Sequence, residues 1–203
     1  GILTNSSLML EDLEPDHPWR EDVQTIVDET LRCRKIVKGL LDFARQTKPQ
    51  RTLLQMNEVV EDVLALVRNQ TVFRSIRITN HLDPALPTVL ADADQMRQVV
   101  LNIVLNAAEA MAHGGDLRVF SHVDAHAKTV EVRFADTGPG IPEEVRAHIF
   151  EPFFTTKRTG TGLGLSIAYG IMERHHGALR VDSAAGQGTA FTIVLPSLEA
   201  AVS

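Results

Sequence analysis

Two asparagines and a glutamate share one side of a segment whose other positions are mostly apolar. Asn102, Asn106 and Glu109 fall within a narrow angular band of a helix that turns about 100° per residue. Amide oxygens are hard neutral ligands for Mg²⁺, and nucleotide phosphates would complete the shell of the ion. The solvated stripe of an ordinary amphipathic helix would look the same, so this segment alone leaves both interpretations open.

A second polar motif, Asp136-Thr137-Gly138-Pro139-Gly140, follows a segment that alternates like a strand and ends at Phe134. Asp136 can accept a hydrogen bond from a ligand amine, and the glycines leave room for the backbone to approach that ligand. A tight turn closed by the aspartate side chain explains the same residues equally well.

A glycine-rich string, Gly160-Thr161-Gly162-Leu163-Gly164-Leu165, opens a predicted helix. Its backbone N–H groups suit an anion, and Lys157 and Arg158 add positive charge just upstream. The string follows no strand directly and has no acidic partner about 20 residues later, so a dinucleotide fold is not indicated. The Lys-Ser/Thr ending of a Walker loop is also absent. A mobile loop before a helix explains the string nearly as well.

Three of the eight phenylalanines lie in the short segment between these two motifs, at positions 150, 153 and 154. Residues 150–157 are predicted to form a hydrophobic latch at the base of the glycine-rich loop. Packing of these rings inside the protein is favoured over direct contact with a ligand, because large aromatic side chains are usually buried.

The first 48 residues read as two helices joined by a turn. Residues 2–13 are amphipathic, two prolines break the pattern between residues 14 and 18, and a longer helix is predicted over residues 21–46. The apolar stripe of the second helix is wide for a lone hairpin, which favours a four-helix dimer. Packing on the following domain is the alternative. Lys48-Pro49-Gln50 marks a linker that divides the chain into residues 1–48 and 49–203.

Beyond the linker the pattern changes to mixed helices and strands. Asp92 is placed to cap a helix, and two alternating runs after Gly114-Gly115 indicate an antiparallel strand pair. The order of elements predicts an α+β fold, a two-layer α/β sandwich with a mixed sheet, rather than a doubly wound parallel sheet. Helices are predicted over residues 57–70, 93–111, 142–149 and 163–175, and strands over residues 52–54, 75–82, 117–123, 129–134, 179–182 and 189–195.

Composition limits the class of partner. The formal net charge is −6, which argues against a nucleic-acid partner because a phosphate backbone needs clustered Lys and Arg. Only 5% of residues are aromatic, too few to stack many bases. The single cysteine, Cys33, has no partner for a disulfide or a metal, which fits a reducing cytoplasm. No apolar run approaches the roughly 18 residues of a membrane span, and Gly1 begins within a helical pattern, as at the edge of a fragment.

The order of these motifs closely resembles that of sensor histidine kinases. The segment around Asn102 and Asn106, residues 136–140, residues 150–157 and residues 160–164 look like the family's N box, first glycine box, F box and second glycine box. Residues 94–111 resemble the nitrogen-regulation-type branch, and residues 186–196 are similar to the family's terminal strand. The resemblance covers residues 51–196, and residues 1–48 look like the dimerisation and phosphotransfer hairpin.

The resemblance implies a Bergerat ATP-binding fold that holds ATP and Mg²⁺ beneath a flexible lid formed by the second glycine box. Asp136 would accept a hydrogen bond from the adenine amino group, and Gly138 and Gly140 would let the backbone pass under the base. Asn106 would coordinate Mg²⁺, with Asn102 beside the phosphates. The implied partners are ATP, a response regulator receiver domain and a second copy of the chain. The residues further assigned to the nucleotide site are Glu109, Ile141, Lys157, Gly160, Thr161, Gly162, Leu163, Gly164, Leu165 and Thr189.

Two departures from the family pattern bear on activity. Many members carry a lysine one turn after the second asparagine, where this chain has Glu109, so Lys157 or Arg158 is expected to neutralise phosphate charge instead. The family's phosphorylated histidine lies on the first hairpin helix, yet residues 1–13 contain no histidine. We therefore expect the acceptor to lie upstream of the first residue, and this chain to bind ATP without phosphorylating itself on histidine.

Two other functions fit parts of the same pattern. ATPases of the gyrase, mismatch-repair and chaperone types resemble the motifs at Asn106 and Asp136, but they carry a glutamate to activate water where this chain has Asn102. An amide cannot act as that base. The other alternative is a nucleotide-free dimerisation or interaction module derived from a kinase, and the intact motifs at Asn106, at Asp136 and in the lid count against it.

Overall fold

A computed structural model describes residues 1–44, 48–157 and 160–198 of the chain. These residues fall into two compact units. The hairpin unit consists of residues 1–46 and 153–163, and the sheet unit consists of residues 47–152 and 164–203. Within the described ranges, no helix combines the length and the apolar character that crossing a membrane requires.

The hairpin unit contains two helices, α1 over Ile2–Asp12 and α2 over Arg20–Ala44. The predicted helical hairpin is therefore confirmed. The guanidinium of Arg20 donates to the carbonyl oxygens of Leu10 and Leu13, at the end of α1. The last turn of a helix leaves its carbonyls without helical partners, so Arg20 closes α1 from the start of α2.

Apolar side chains of the hairpin are only partly buried. Val23 and Val27 of α2 are buried, whereas several other large apolar side chains of the unit are more than a third exposed. A stripe this wide on a two-helix hairpin leaves apolar surface for a further partner. The exposed side chains are Ile2, Leu8, Met9, Trp19, Ile26 and Val37.

The described part of the sheet unit contains seven strands and four α-helices, with one 3-10 turn over Thr71–Phe73. The alternating and helical periods of the sequence place most of these elements within a few residues of their observed bounds. The strands are β1 (Thr52–Leu54), β2 (Ile76–His81), β3 (Val89–Ala91), β4 (Gly115–Asp124), β5 (Thr129–Asp136), β6 (Ala178–Ser183) and β7 (Thr189–Pro196). The helices are α3 (Met56–Arg68), α4 (Ala93–Ala110), α5 (Glu143–Arg146) and α6 (Gly164–Arg174).

The strands form one large sheet and one small one. The large sheet has the order β2-β4-β5-β7-β6, and β1 pairs with β3 in the small sheet. Strand β2 runs parallel to β4, whereas β4 with β5, β5 with β7 and β6 with β7 are antiparallel. The predicted mixed sheet and antiparallel pair are confirmed.

Helices cover one face of the large sheet, which makes the predicted two-layer sandwich. Helix α4 packs between α3 and α6 and contacts β5, while α6 contacts β6. Alternate residues of the central strands point into this layer and are buried, as the period of two requires. The buried residues include Leu117, Val119, Val132, Phe134, Phe191 and Ile193 of the strands, and Val99, Val100, Ile103, Val104 and Ala107 of α4.

Asp92 caps α4, as predicted. Its Oδ1 accepts hydrogen bonds from the backbone N–H groups of Asp94 and Gln95, both over 3.1 Å. Its Oδ2 accepts from the N–H of Gln50 in the linker over 2.8 Å. Such a cap satisfies N–H groups that the first turn leaves unpaired, and it typically stabilises a helix by about 1 kcal/mol. One side chain thus fixes both the start of α4 and the linker.

Three local predictions were wrong. No strand was predicted at β3, because its three residues are all apolar and show no alternation of apolar and polar side chains. The helix predicted over residues 142–149 is confined to α5, because His148 and Glu151 close i to i+3 turns after it instead of continuing the helix. The packing predicted for the phenylalanines also fails in part, since Phe153 is 56% exposed.

Candidate functional site

Asp136 is a buried carboxylate at the end of β5, a strand in the middle of the large sheet. Its Oδ1 accepts hydrogen bonds from the backbone N–H of Gly138 over 2.8 Å and of Thr189 over 3.2 Å. Two backbone donors on one oxygen fix the plane of the carboxylate, and hydrogen bonds to a charged acceptor are stronger than neutral ones. The sheet therefore holds one oriented acceptor group at this edge.

Two glycines allow the backbone to pass close to this aspartate. Gly140 has a φ of +74°, and a Cβ built on it would lie 1.9 Å from the carbonyl oxygen of Ala184. A Cβ on Gly138 would lie 2.9 Å from Oδ1 of Asp136 and 3.3 Å from the Cβ of Ala110. Only glycine fits at position 140 without moving the backbone. The loop after β5 is thus packed between the end of α4 and the turn that joins β6 to β7.

Ser183, which no sequence motif marks, joins this loop to the end of the sheet. Its Oγ accepts from the N–H of Ile141 over 2.8 Å, lies 2.8 Å from the carbonyl oxygen of Gly188 and lies 2.9 Å from Oγ1 of Thr189. The contact depends on the register that places Ser183 opposite Thr189 and Thr189 opposite Asp136. No local sequence signal reveals that register.

The asparagines of α4 lie on its less buried side, as the angular spacing predicts. The Nδ2 of Asn102 donates to the carbonyl oxygen of Gly164 over 2.9 Å, so α4 is tied to the start of α6. Asn106 follows one turn later and is partly exposed, and Glu109 is exposed. Because Gly138 packs on Ala110, these side chains lie on the same helix that supports the loop after Asp136.

Two described segments, residues 153–157 and 160–163, contact each other through backbone hydrogen bonds, and we call them the lid loop. The N–H of Phe153 donates to the carbonyl oxygen of Gly162 over 3.0 Å, and the N–H of Gly160 donates to that of Lys157 over 3.3 Å. Gly162 has a φ of +67°, and a Cβ on it would lie 2.4 Å from the carbonyl carbon of Phe153. Lys157, Thr161 and Leu163 are described parts of this loop, whereas the predicted Arg158 lies outside the described residues.

His175 connects the end of α6 to the start of α4. Its Nε2 lies 3.1 Å from the backbone nitrogen of Asp92, and its Nδ1 lies 2.9 Å from the carbonyl oxygen of Ile171. Because the N–H of Asp92 can only donate, Nε2 accepts and Nδ1 carries the proton. Burial lowers the pKa of His175 below its usual range, while the bond to Ile171 opposes that shift. The neutral ring therefore holds the two helices together.

The family comparison agrees with this arrangement. Residues 91–199 match a family model described as histidine kinase-, DNA gyrase B-, and HSP90-like ATPase. The sensory histidine kinase/phosphatase NtrB of Vibrio alginolyticus is 36% identical over 208 residues, which cover 98% of this chain and 58% of that protein. The chain thus spans little more than half the length of this curated relative.

Solved structures share the same architecture. Full-length ShkA in complex with AMPPNP has a TM-score of 0.76 at 28% identity, over 97% of this chain and 42% of that one. The histidine kinase ThkA in complex with the response regulator protein TrrA has a TM-score of 0.75 at 28% identity, over 97% of this chain and 57% of that one. The similarity therefore extends over the hairpin as well as the sheet.

Proposed function

The chain belongs to the histidine kinase-, DNA gyrase B- and HSP90-like ATPase family, and we propose that it is the ATP-binding catalytic portion of a sensor histidine kinase. It transfers the γ-phosphoryl group of ATP to a histidine on a dimerisation helix, for relay to an aspartate of a response regulator. In this proposal residues 1–48 form the dimerisation hairpin and residues 49–203 the catalytic domain. The likeness to sensory kinases over nearly the whole chain supports it.

The oriented carboxylate of Asp136 is the single observation that carries the proposal. The backbone N–H groups of Gly138 and Thr189 hold its Oδ1, so the group faces its ligand as a fixed acceptor. The 6-amino group of adenine donates hydrogen bonds, whereas guanine presents a carbonyl at the same place. An acceptor held in position therefore favours ATP over GTP, because the carbonyl of guanine would set one acceptor against another.

Asn106 fits a magnesium ion that arrives with the nucleotide. In the described parts of the chain, no cluster of three or more His, Cys, Asp or Glu side chains is placed to hold a metal ion. One amide oxygen supplies a single hard ligand, and Mg²⁺ is commonly held by one or two protein groups together with substrate phosphates. The ion, when bound, neutralises charge on the transferring phosphoryl group. In our proposal Asn106 orients that ion and Asn102 positions α6 beside it.

The glycine-rich string of residues 160–165 holds the phosphate tail in this proposal. The N–H of Gly160 already donates to the carbonyl of Lys157, so Gly162 and Gly164 are the glycines proposed to bring backbone N–H groups to the anion. Thr161, Leu163 and Leu165 belong to the same stretch. Lys157 supplies the positive charge that Glu109 cannot, since a carboxylate repels phosphate. Lys157→Ala should therefore weaken binding of ATP more than binding of adenosine. Equal weakening of both would assign Lys157 to the loop's structure instead.

Water activation is not favoured at this site. Nδ2 of Asn102 donates to the carbonyl of Gly164, and an amide is no general base. An ATPase mechanism that activates water at this position therefore lacks its base.

The hairpin supplies the dimer in this proposal. Its exposed apolar side chains on both helices fit a four-helix bundle with a second copy of the chain. Helix α1 contains no histidine, so we propose that this chain does not phosphorylate itself on histidine. The domain works in the cytoplasm, where ATP and the response regulator meet, whether or not the full protein is anchored to a membrane.

A transfer assay tests the function. The chain is incubated with Mg²⁺ and ATP labelled at the γ-phosphate, together with a separate dimerisation hairpin that carries an unphosphorylated acceptor histidine. We expect label on the hairpin that acid removes and alkali does not, as for phosphohistidine. Asn106→Ala should abolish the label, and omission of the hairpin should leave the chain unlabelled. Release of labelled phosphate at the same rate without the hairpin would instead show an ATPase.

A further inference from the structure

Three polar side chains form one row across neighbouring strands at the end of the large sheet. The register places Asp136 of β5 opposite Thr189 of β7, and Thr189 opposite Ser183 of β6. Residues opposite each other in antiparallel strands point to the same face, so the three lie side by side on the face that the helices cover. Asp136 and Thr189 are buried, and Ser183 is partly exposed.

Counting protons around Ser183 fixes the direction of every hydrogen bond in the row. A serine hydroxyl has one proton and two lone pairs. The N–H of Ile141 can only donate to Oγ, and the carbonyl of Gly188 can only accept from it. The single proton of Ser183 therefore goes to Gly188. Thr189, whose Oγ1 lies 2.9 Å away, must then donate its own proton to Ser183.

The consequence is a hydroxyl group with no proton left for a ligand. Thr189 presents only lone pairs beyond Ser183, and the neighbouring carboxylate of Asp136 also only accepts. A site lined by acceptors binds a ligand group that donates hydrogen bonds and rejects a group that accepts them. Two acceptors that face each other in a buried site leave both polar atoms without a hydrogen bond. A purine with a 6-amino group donates two N–H bonds at that position, whereas a 6-oxo purine offers another acceptor.

We propose that Ser183 is a positioning residue for nucleotide specificity: it consumes the proton of Thr189 and thereby helps the site to select 6-amino over 6-oxo purine nucleotides. This inference rests on the proposed binding of ATP next to Asp136. Ser183 acts through Thr189 and does not itself contact the base. Removal of its hydroxyl frees Thr189 to rotate and to donate, which makes a 6-oxo group acceptable.

The comparison of ATP with inosine triphosphate tests this effect, because the two nucleotides differ in the group at position 6 and in the proton that the 6-oxo form carries on the adjacent N1. Each nucleotide, with Mg²⁺, displaces a fluorescent trinitrophenyl derivative of ATP from the wild-type chain and from Ser183→Ala. We expect the preference for ATP over inosine triphosphate to fall about fivefold in Ser183→Ala, the equivalent of one net hydrogen bond. Ser183→Thr keeps the hydroxyl and should keep the preference.

Two further variants separate specificity from general damage. Ser121→Ala removes a buried strand serine that accepts from the N–H of Asp83 over 2.9 Å, away from the row, and should leave the preference unchanged. In Thr189→Val no hydroxyl remains for Ser183 to orient. Adding Ser183→Ala to Thr189→Val should then cause no further change in preference.

The results distinguish this inference from the proposed function. The inference is supported if the preference for ATP over inosine triphosphate falls in Ser183→Ala and is retained in Ser183→Thr. Adding Ser183→Ala to Thr189→Val should then leave the preference of Thr189→Val unchanged. Equal weakening of both nucleotides in Ser183→Ala, with the preference of the wild type intact, overturns the inference and leaves ATP binding in place. Failure of the wild-type chain to bind ATP overturns the proposed function, and the inference with it.

Discussion

The side-chain nitrogen of Asn102 donates a hydrogen bond to the carbonyl oxygen of Gly164 over 2.9 Å, although 62 residues separate them in the chain. Asn102 lies in the middle of α4, and Gly164 is the first residue of α6. The bond fixes where α6 starts relative to the asparagines of α4. The proposed phosphate site therefore depends on an amide donor as well as on amide oxygens.

Replacement of Asn102 by aspartate tests this bond. Asn102→Asp keeps the shape but removes the donor and sets a carboxylate against a carbonyl oxygen. We expect the free energy of unfolding to fall by about 1–3 kcal/mol, as for other lost partners, measured by urea denaturation. Asn80→Asp adds the same charge at an exposed position of β2 and should change the free energy of unfolding by less than about 0.5 kcal/mol. Equal losses in both variants would contradict a specific role for the bond.

The lid loop should be sensitive to a single methyl group. Gly162→Ala combines a positive φ with a Cβ only 2.4 Å from the carbonyl carbon of Phe153, so the loop must open. We expect the affinity for ATP to fall more than about tenfold, since about 1.4 kcal/mol of strain is enough for that change. Gly186→Ala is the matched control, because its φ is +79° but nothing lies within 4 Å of the added Cβ. ATP binding by Gly162→Ala at the affinity of Gly186→Ala would refute the role of the loop.

His175 makes stability depend on pH near neutrality. Burial lowers the pKa of His175, so the folded chain binds a proton there less readily than the unfolded chain does. Stability from the neutral ring is complete above the unfolded pKa of about 6.5 and is lost as the pH falls below it. We expect the urea midpoint to drop between about pH 7.5 and about pH 5.5, because the charged ring cannot accept from Asp92.

The variant His175→Gln, which does not titrate, should lose most of this pH dependence. His126→Gln removes an exposed imidazole and should retain it. Three charged groups near the ring are unchanged in both variants. Arg51 and Arg174 lower the pKa of His175, and Asp92 raises it. A pH dependence that is the same in His175→Gln and in the wild type would show that other groups cause it.

His176 occupies a position that glycine would fill better. It follows α6 with a φ of +55°, the N–H of His176 donates to the carbonyl of Glu173, and that of Gly177 donates to Met172. This pair of bonds ends a helix with one left-handed residue, usually glycine. His176→Gly should therefore raise the free energy of unfolding by about 0.5–1 kcal/mol. A lower free energy of unfolding for His176→Gly in urea denaturation would contradict the assignment. The control His126→Gly, at a position without a positive φ, should not stabilise the chain.

Periodic patterns predicted the helices and most strands because burial imposes them locally. Helix α4 was predicted from its apolar spacing and from Asp92, and both features reappear as buried residues and as a side-chain cap. Strand β3 and the end of α5 could not be predicted in the same way. Strand β3 pairs with β1 over only three residues. Helix α5 is followed by i to i+3 turns, and no periodic spacing of apolar residues shows where the helix gives way to them.

The candidate site was predictable only where its residues stand in a motif. Asp136, Gly138 and Gly140 are neighbours in sequence, and the tight packing of the glycines was foreseen from their type. Ser183 depends instead on the pairing of three strands, which the local sequence does not encode. The bond from Asn102 to Gly164 was missed for the same reason, since it joins two helices far apart in the chain.

The most direct test of the account is calorimetric titration of ATP with Mg²⁺ into the wild-type chain and into Asp136→Asn. The substitution keeps an oxygen for the N–H groups of Gly138 and Thr189 but turns the other end of the side chain into a donor. We expect micromolar-range binding by the wild type and none by Asp136→Asn, with unchanged circular dichroism. Binding of equal strength by both, or no binding by the wild type, would contradict the central claim that Asp136 receives the adenine amino group.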